Sequence, residues 1–542
     1  MINSERFTIS KKEAWVLILC VLIGFALRFY TFDQKSLWTD EVHTFNESRD
    51  DIGGQLKFYK ENPTHLHPPL FFILTHLFYP FPKPERDLRI IPLLFGTLSI
   101  FLIYYLSRPF SPRIAIPCSL SIAFMVYHIN LSQDARSYSL LMFFSMAAGF
   151  FFIHYRTTLK KKYLLFVAIF FALSFHTSYS SIPFIVFLQL LWFYCPDEKH
   201  PRIPPQFPYS FLILNGFTLL FCFPWILFVV LNFKESFPKE FLLDLFSMRD
   251  TLSLSNLLWS VLHDWVPFYP LMIVSTLLLA LFPIFSKDRG NSLVLLALII
   301  LPVLGLYLFC KLLGVTHFIS TRYFVCFLPF FLITLFIALD SIEVKFGRLK
   351  KFVRLKILLV IFFISTNLVL LPLYYLSEKQ DFRGLVTYLK KNLKEGDKIF
   401  VEDPIFAIGI LHYFGQYPTR RHHLYIISNE SRNEMKAQSL FNLFKEIEFR
   451  SPFVYQDKTY IIYHYKTCCE QYVSDGSRLW IIVGKSSAKK FQETSPSVLK
   501  GYFDGSFLTT SRFPTDGSLY LFLWDPKSPD EMGNDLFINR KD

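Results

Sequence analysis

Apolar stretches of about 15–22 residues, broken by short charged loops, fill the chain from residue 13 to residue 376. A helix needs about 20 apolar residues to cross a hydrocarbon layer. The pattern predicts about eleven spans, near residues 13–32, 88–107, 113–129, 136–154, 162–176, 179–195, 210–231, 267–286, 292–310, 322–340 and 357–376. The two segments flanking His176-Thr177-Ser178-Tyr179 are short and also read as one broken helix. Beyond residue 376 polar and apolar positions mix. Asp381 to Asn392 repeats at helical spacing, and Lys398-Ile399-Phe400-Val401 reads as a strand after a Gly396 turn. Further strands are expected at 459–464, 479–484 and 518–524, with a helix near 433–447. The expected fold class is an α-helical polytopic membrane protein with a C-terminal extracytoplasmic α/β domain. Its parts are a membrane domain, 1–376, whose first outer loop is 33–87, and an outer domain, 377–542.

Composition agrees with that class. The chain has 542 residues, 52% of them hydrophobic, with 64 Phe and a mean hydropathy of +0.35. A soluble enzyme of this length carries more charge and shorter apolar runs. The formal net charge of +13 would suit a nucleic-acid binder, but the cations gather in loops between spans. Examples are Arg108 with Arg113, Arg156 with Lys160, Lys161 and Lys162, Lys287 with Arg289, and the run from Lys345 to Lys356. That is the positive-inside pattern, so nucleic acid is not an expected partner.

The loop after the first span carries acids instead: Asp33, Asp40, Glu41, Glu47, Asp50, Asp51, Glu61, Glu85 and Asp87. This places the N-terminus in the cytoplasm, behind an uncleaved anchor, and the acidic loop outside. Five of the eight Cys lie in apolar runs, and Cys468-Cys469 has no metal-ligand spacing, so neither a disulfide framework nor a zinc site is indicated. The outer domain lacks a phosphate-binding glycine loop, and no solenoid repeat is present.

Four clusters carry candidate chemistry. Asp40-Glu41 follows Trp38 at the outer end of the first span. Acids there serve as helix-end charges or as functional groups, and a half-buried carboxylate can take a proton from an acceptor hydroxyl. His67-Pro68-Pro69-Leu70 holds His67 extended, either as a rigid entrance to a helix or as a partner for a carboxylate or sugar hydroxyl. His65 and His67 together would make half a metal site, so a divalent metal stays open as a cofactor. Gln133-Asp134-Ala135-Arg136-Ser137-Tyr138 brings an acid and a cation to the outer face, where Asp134 also reads as a helix cap. His317-Phe318-Ile319-Ser320-Thr321-Arg322-Tyr323 places Arg322 against the positive-inside bias, snorkelling or holding a lipid phosphate, with Lys311 as an alternative cation.

In this order the motifs Leu37-Trp38-x-Asp40-Glu41, His67-Pro68-Pro69-Leu70, Gln133-x-Ala135-Arg136-x-Tyr138 and Arg322-Tyr323 resemble bacterial glycosyltransferases of GT-C fold. These are related to protein O-mannosyltransferases and to the aminoarabinose transferase of lipid A. The likeness covers roughly residues 10–375. It implies a polyprenyl-phosphate sugar donor and an acceptor that is an envelope glycan, lipid or protein. It further implies inversion at the anomeric carbon, in a bacterial cytoplasmic membrane. The resemblance makes Asp40 and Glu41 the catalytic pair, with Asp40 as base. Glu41 and Asp134 would position acceptor or sugar, Arg322 and Arg136 would hold the donor phosphate, and His67, Tyr138 and Tyr323 would be further substrate-binding residues. His67 stands where the aminoarabinose transferases have a lysine, a departure at a phosphate contact. A lipid or solute transporter is the alternative class, though such proteins place their sites near the bilayer midplane, commonly in repeated halves.

Overall fold

The computed structural model describes residues 9–61, 67–196, 201–204, 206–233, 252–314, 316, 319–345, 355–402 and 404–415. In the C-terminal region it describes 453–456, 461–464, 478–485, 487–488, 498–506, 517–525 and 537–538. The helix expected near 433–447, Cys468-Cys469, His65 and His317 lie outside these residues.

Six described helices are long and apolar enough to cross a membrane, or eight if each of two bent pairs is one span. The eleven expected segments are helical, yet several differ from simple spans. Helix α1 (Lys11–Phe29) carries Lys12, Glu13 and Arg28 within its length. The segments flanking residue 178 are two separate short helices, Lys162–Thr177 and Ser181–Phe193. The run expected at 113–129 is bent by 62° between Pro112–Phe124 and Val126–Ser132. The helix Tyr269–Phe285 joins Leu254–Trp265 at 106°, the latter an amphipathic segment absent from the apolar-run reading.

The first bend is held by polar groups from other helices. At Met125 the backbone turns extended, which strips the carbonyls before it of their helical partners. Arg28 of α1 supplies donors: Nη2 to Ile122 O at 2.7 Å and Nη1 to Ala123 O at 3.0 Å. Beyond the bend, the Val126 N–H donates to Asn367 Oδ1 at 2.9 Å. The second half is thereby aimed so that Gln133 to Arg136 emerge beside the end of α1.

The C-terminal part is a seven-stranded sheet in the order β2-β3-β1-β4-β6-β5-β7. Its strands are β1 (Lys398–Val401), β2 (Phe453–Gln456), β3 (Ile461–His464), β4 (Leu479–Gly484), β5 (Val498–Phe503), β6 (Leu519–Trp524) and β7 (Phe537–Ile538). Central β1 runs parallel to β3 and β4, while β4, β6 and β5 pair antiparallel. The period of two along each strand sends Phe400, Ile481 and Phe522 to one face and Ile399, Val401, Trp480 and Ile482 to the other. On that second face lie the helices Phe382–Asn392 and Pro404–Phe414. The same core continues into Leu37, Val42, Phe45, Phe81, Leu88 and Ala135 of the membrane part. Helix α2 (Thr39–Ser48), which carries the Asp-Glu pair, is therefore packed between the two parts.

His412 marks this junction. Its ring meets Phe45 of α2 edge-on, with centroids 4.6 Å apart. Burial, aided by the charge of Arg49, lowers its pKa from 6.5 to about 4. The neutral ring thus stabilises the fold fully above pH 6.5, and that contribution fades as pH falls through about 4. The loss amounts to about 3 kcal/mol. His412→Asn is expected to flatten the pH dependence of thermal unfolding in detergent across this window.

Candidate active site

Adjacent residues on a helix point about 100° apart, so Asp40 and Glu41 face different surroundings. Glu41 faces inward and is 0% exposed. Its Oε1 accepts from Arg89 Nε at 2.7 Å and from the Ala135 N–H at 2.8 Å. Its Oε2 accepts from Arg89 Nη2 at 2.6 Å and from the Trp38 N–H at 3.3 Å. Arg89 also donates to the carbonyls of Phe32, Lys35 and Ser36 at 2.9, 3.0 and 3.1 Å. This ion pair ties α2, the 32–36 turn and the Ala135 segment into one knot. Glu41, expected as half of the catalytic pair, is enclosed by backbone and guanidinium and presents no oxygen to a substrate.

Asp40 lies on a different face of α2, about 100° around the helix, with His43, Thr44 and Glu47 at helical spacing along that face. Its side chain is 30% exposed, and Oδ2 sits 3.4 Å from Arg322 Nη1. The Arg322 guanidinium lies over the rings of Trp38 and Tyr138, 5.3 Å from each centroid. Arg136 Nη1 donates to the Asp40 carbonyl at 3.3 Å and to Thr44 Oγ1 at 3.4 Å. Tyr323 completes the wall, within electrostatic reach of Tyr138, Arg322, Asp40 and Arg136. Thr321, just before Arg322, donates to buried Asp264 Oδ2 at 2.5 Å. Two arginines and two tyrosines thus surround one solvent-reaching carboxylate.

Asp134 is buried behind this wall, 3% exposed, with Trp38 Nε1 at 2.9 Å and Lys379 Nζ at 3.0 Å from its Oδ1. Burial alone would raise its pKa, but the Lys379 ammonium, the Trp38 N–H and Arg322 outweigh it and hold the carboxyl below the usual range. His67 Nδ1 stands 3.2 Å from both oxygens of Glu47, whose side chain is 3% exposed. Tyr59 donates to the same carboxylate at 3.3 Å. His43 sits among Asp40, Glu47, Arg136 and His67, and its burial lowers its pKa against the pull of the two acids. Gln133 Nε2 donates to the carbonyls of Arg28 and Tyr30 at 2.8 and 2.6 Å, closing the end of α1. Among the described residues no group of three or more His, Cys, Asp or Glu is gathered closely enough to hold a metal ion, and His65 is not among them.

Residues 66–228, which span His67, Asp134 and Arg136, match the family model of the dolichyl-phosphate-mannose-protein mannosyltransferases. No curated protein matches the chain. Among solved structures, ArnT from Cupriavidus metallidurans bound to undecaprenyl phosphate aligns over 94% of this chain and 98% of its own, at 13% identity and TM-score 0.50. The apo state of that protein aligns over 95% and 98%, at 12% identity and TM-score 0.50. A partial likeness, to the S. cerevisiae protein O-mannosyltransferase Pmt1-Pmt2 complex bound to the sugar donor, covers 43% of this chain and 35% of that one, at 18% identity and TM-score 0.33. The chain has the GT-C fold.

Within that GT-C scaffold, the structure gathers Asp40, Arg136, Tyr138, Arg322 and Tyr323 at one wall and sets Asp134 directly behind it. His67 is reached through His43 and Glu47. Reading the sequence missed Arg89, Glu47, His43, Asp264, Lys379 and Gln380. Arg89 carried a usable signal: like Arg322, it begins an apolar span from the acidic side. Lys379 carried none, since a lysine after the last span is unremarkable until the chain folds back.

Breaking a buried pair by truncating one partner typically costs about 3–5 kcal/mol. Glu41→Ala is expected to lower stability by about that amount, whereas Asp40→Asn should leave the thermal midpoint near wild type. Differential scanning fluorimetry of both detergent-purified variants checks the contrast.

Proposed function

We propose that this protein is a membrane glycosyltransferase that moves a sugar from a polyprenyl-phosphate donor to a hydroxyl acceptor with inversion. The observation that carries the reading is the separation of the acids. Glu41, Glu47 and Asp134 are buried and paired, while Asp40 reaches solvent beside an arginine on an aromatic ledge. That arrangement suits one base next to one anion-binding cation. The GT-C fold, and the undecaprenyl phosphate named for the bound ArnT structure, support a lipid-phosphate donor.

In this scheme the donor phosphate draws Arg322 away from Asp40. The released carboxylate accepts the acceptor hydroxyl proton as that oxygen bonds to C1. The C1–O bond to phosphate breaks on the far face of the sugar, and polyprenyl phosphate departs with the electron pair. Arg322 and Arg136 oppose the charge that develops there, an effect strongest where water is scarce. Glu41 and Asp134 act through Arg89, Trp38 and Ala135 and are positioning residues. The acidic loop lies on the extracytoplasmic side of a bacterial cytoplasmic membrane, with the N-terminus inside. The acceptor is an envelope glycan, lipid or protein.

Removing a general base typically lowers rate by about 10²–10⁴-fold, so Asp40→Asn is expected to lose transfer while folding normally. Mass spectrometry of envelope glycolipids, polysaccharides and glycoproteins from cells carrying wild type, a deletion or Asp40→Asn reads this directly. A sugar missing from both altered strains supports the base role, and one missing only from the deletion removes Asp40 from it. For Arg322→Ala, about a 10²–10³-fold fall in kcat is expected. An unchanged rate and donor dependence would leave Arg322 only a snorkelling role.

A further inference from the structure

The segment that leaves the last membrane helix, Leu355–Leu376, does not run straight into the outer domain. Residues Glu378 to Asp381 fold back against the start of α2. The Ser36 N–H donates to Glu378 Oε2 at 3.1 Å. Gln380 Oε1 accepts both the Thr39 N–H at 3.0 Å and Thr39 Oγ1 at 2.8 Å. Lys379 reaches Asp134 at 3.0 Å and lies 5.7 Å from the centre of the Trp38 ring, which Arg322 also contacts. Each of the three residues takes a different partner within the Ser36–Thr39 and Asp134 segments that frame Asp40.

The sequence of α2 makes such help necessary. Its N-cap residue is Trp38, which offers no side-chain acceptor to the orphan N–H groups of the first turn. Gln380, 341 residues further on, supplies one for Thr39. The outer sheet in turn seats the linker. The Glu378 N–H donates to Asp504 Oδ2 at 2.9 Å and the Asp381 N–H to Asp504 O at 3.1 Å. Gly517 approaches so closely that a Cβ there would stand 2.6 Å from the Lys379 carbonyl oxygen.

We infer that Lys379 and Gln380 are positioning residues of the active site, through which the outer domain sets the orientation of Asp40 and Trp38. Gln380 fixes the first turn of α2, and Lys379 fixes Trp38 by way of Asp134. Arg322 then finds its aromatic ledge and its carboxylate in place. The outer domain is on this view part of the catalytic unit. The inference deepens the glycosyltransferase reading and rests on it for its kinetic consequences.

The test uses the full chain in detergent, with Lys379→Met, Gln380→Ala and the conservative Lys379→Arg. Release of undecaprenyl phosphate from a panel of undecaprenyl-phosphate-linked pentoses and hexoses, with an extract of envelope glycolipids, polysaccharides and proteins as the acceptor source, gives kcat and KM, and hydrogen exchange reads residues 34–48. Lys379→Met and Gln380→Ala should each lower kcat about 10–100-fold with KM for the donor changed less than about threefold. Both should speed exchange across residues 34–48, and Lys379→Arg should restore most of the rate. Lys379→Met should also move the acidic limb of the kcat profile upward in pH, because Asp134 loses its ammonium partner. Exchange unchanged from wild type overturns the inference whatever the activity does. Faster exchange with normal kcat overturns the positioning role, leaving only a structural tie. If Lys379→Met does not fold, Gln380→Ala and Lys379→Arg decide alone. If wild type transfers no sugar from any donor, the functional reading fails, and the exchange measurement still decides whether the linker orders α2.

Discussion

The buried pair of Glu41 and Arg89 is the constraint on which the site depends. Four donors converge on one carboxylate, and a single guanidinium binds that carboxylate and three carbonyls of the turn before it. Both ions are buried from solvent, so each is tolerable only with the other in place. Such a pair adds little net stability over apolar packing, but it admits few alternative geometries. The segments it joins are those that must meet: the end of α1, the start of α2, the Ala135 turn and the helix that Arg89 begins.

Around this knot the protein uses cations in two ways. Arg89 and Arg28 are consumed by structure, the first on Glu41 and the second on carbonyls opened by the bend at Met125. Arg322 is held more loosely, at 3.4 Å from Asp40 and between two aromatic rings. An arginine on an aromatic ledge is oriented without being saturated, because a ring face attracts the cation but accepts no strong hydrogen bond. This contrast separates a scaffold cation from one suited to an incoming phosphate.

Much of the architecture was legible in the residues. Apolar run length marked the helical segments, and short apolar runs beyond residue 376 marked strands at 398–401, 459–464, 479–484 and 518–524, which the fold forms at 398–401, 461–464, 479–484 and 519–524. The GT-C resemblance rested in part on residues that stand together at Asp40, namely Arg136, Tyr138, Arg322 and Tyr323. Run length could not show the bends at Met125 and between Trp265 and Tyr269, since a broken helix stays apolar when other helices satisfy its exposed backbone groups. The helix Pro404–Phe414 was missed because it is apolar all round and lies between sheet and α2, leaving no amphipathic stripe to detect.

The Asp-Glu dipeptide shows where sequence ends and folding begins. Order along the chain specified two carboxylates just past the C-terminal end of α1, in company with Trp38, and that much required no coordinates. Nothing in the dipeptide says which acid is buried, because that follows from how α2 is rolled against its neighbours. The roll is set by Arg89, Gln380 and the core around Phe45, contributed by segments up to 341 residues apart. Local pattern encodes what a residue's own helix or strand demands, whereas partnership across the fold is a property of packed surfaces. For this protein, local pattern named the residues of the wall beside Asp40, and tertiary structure supplied their buried partners and gave each acid its surroundings.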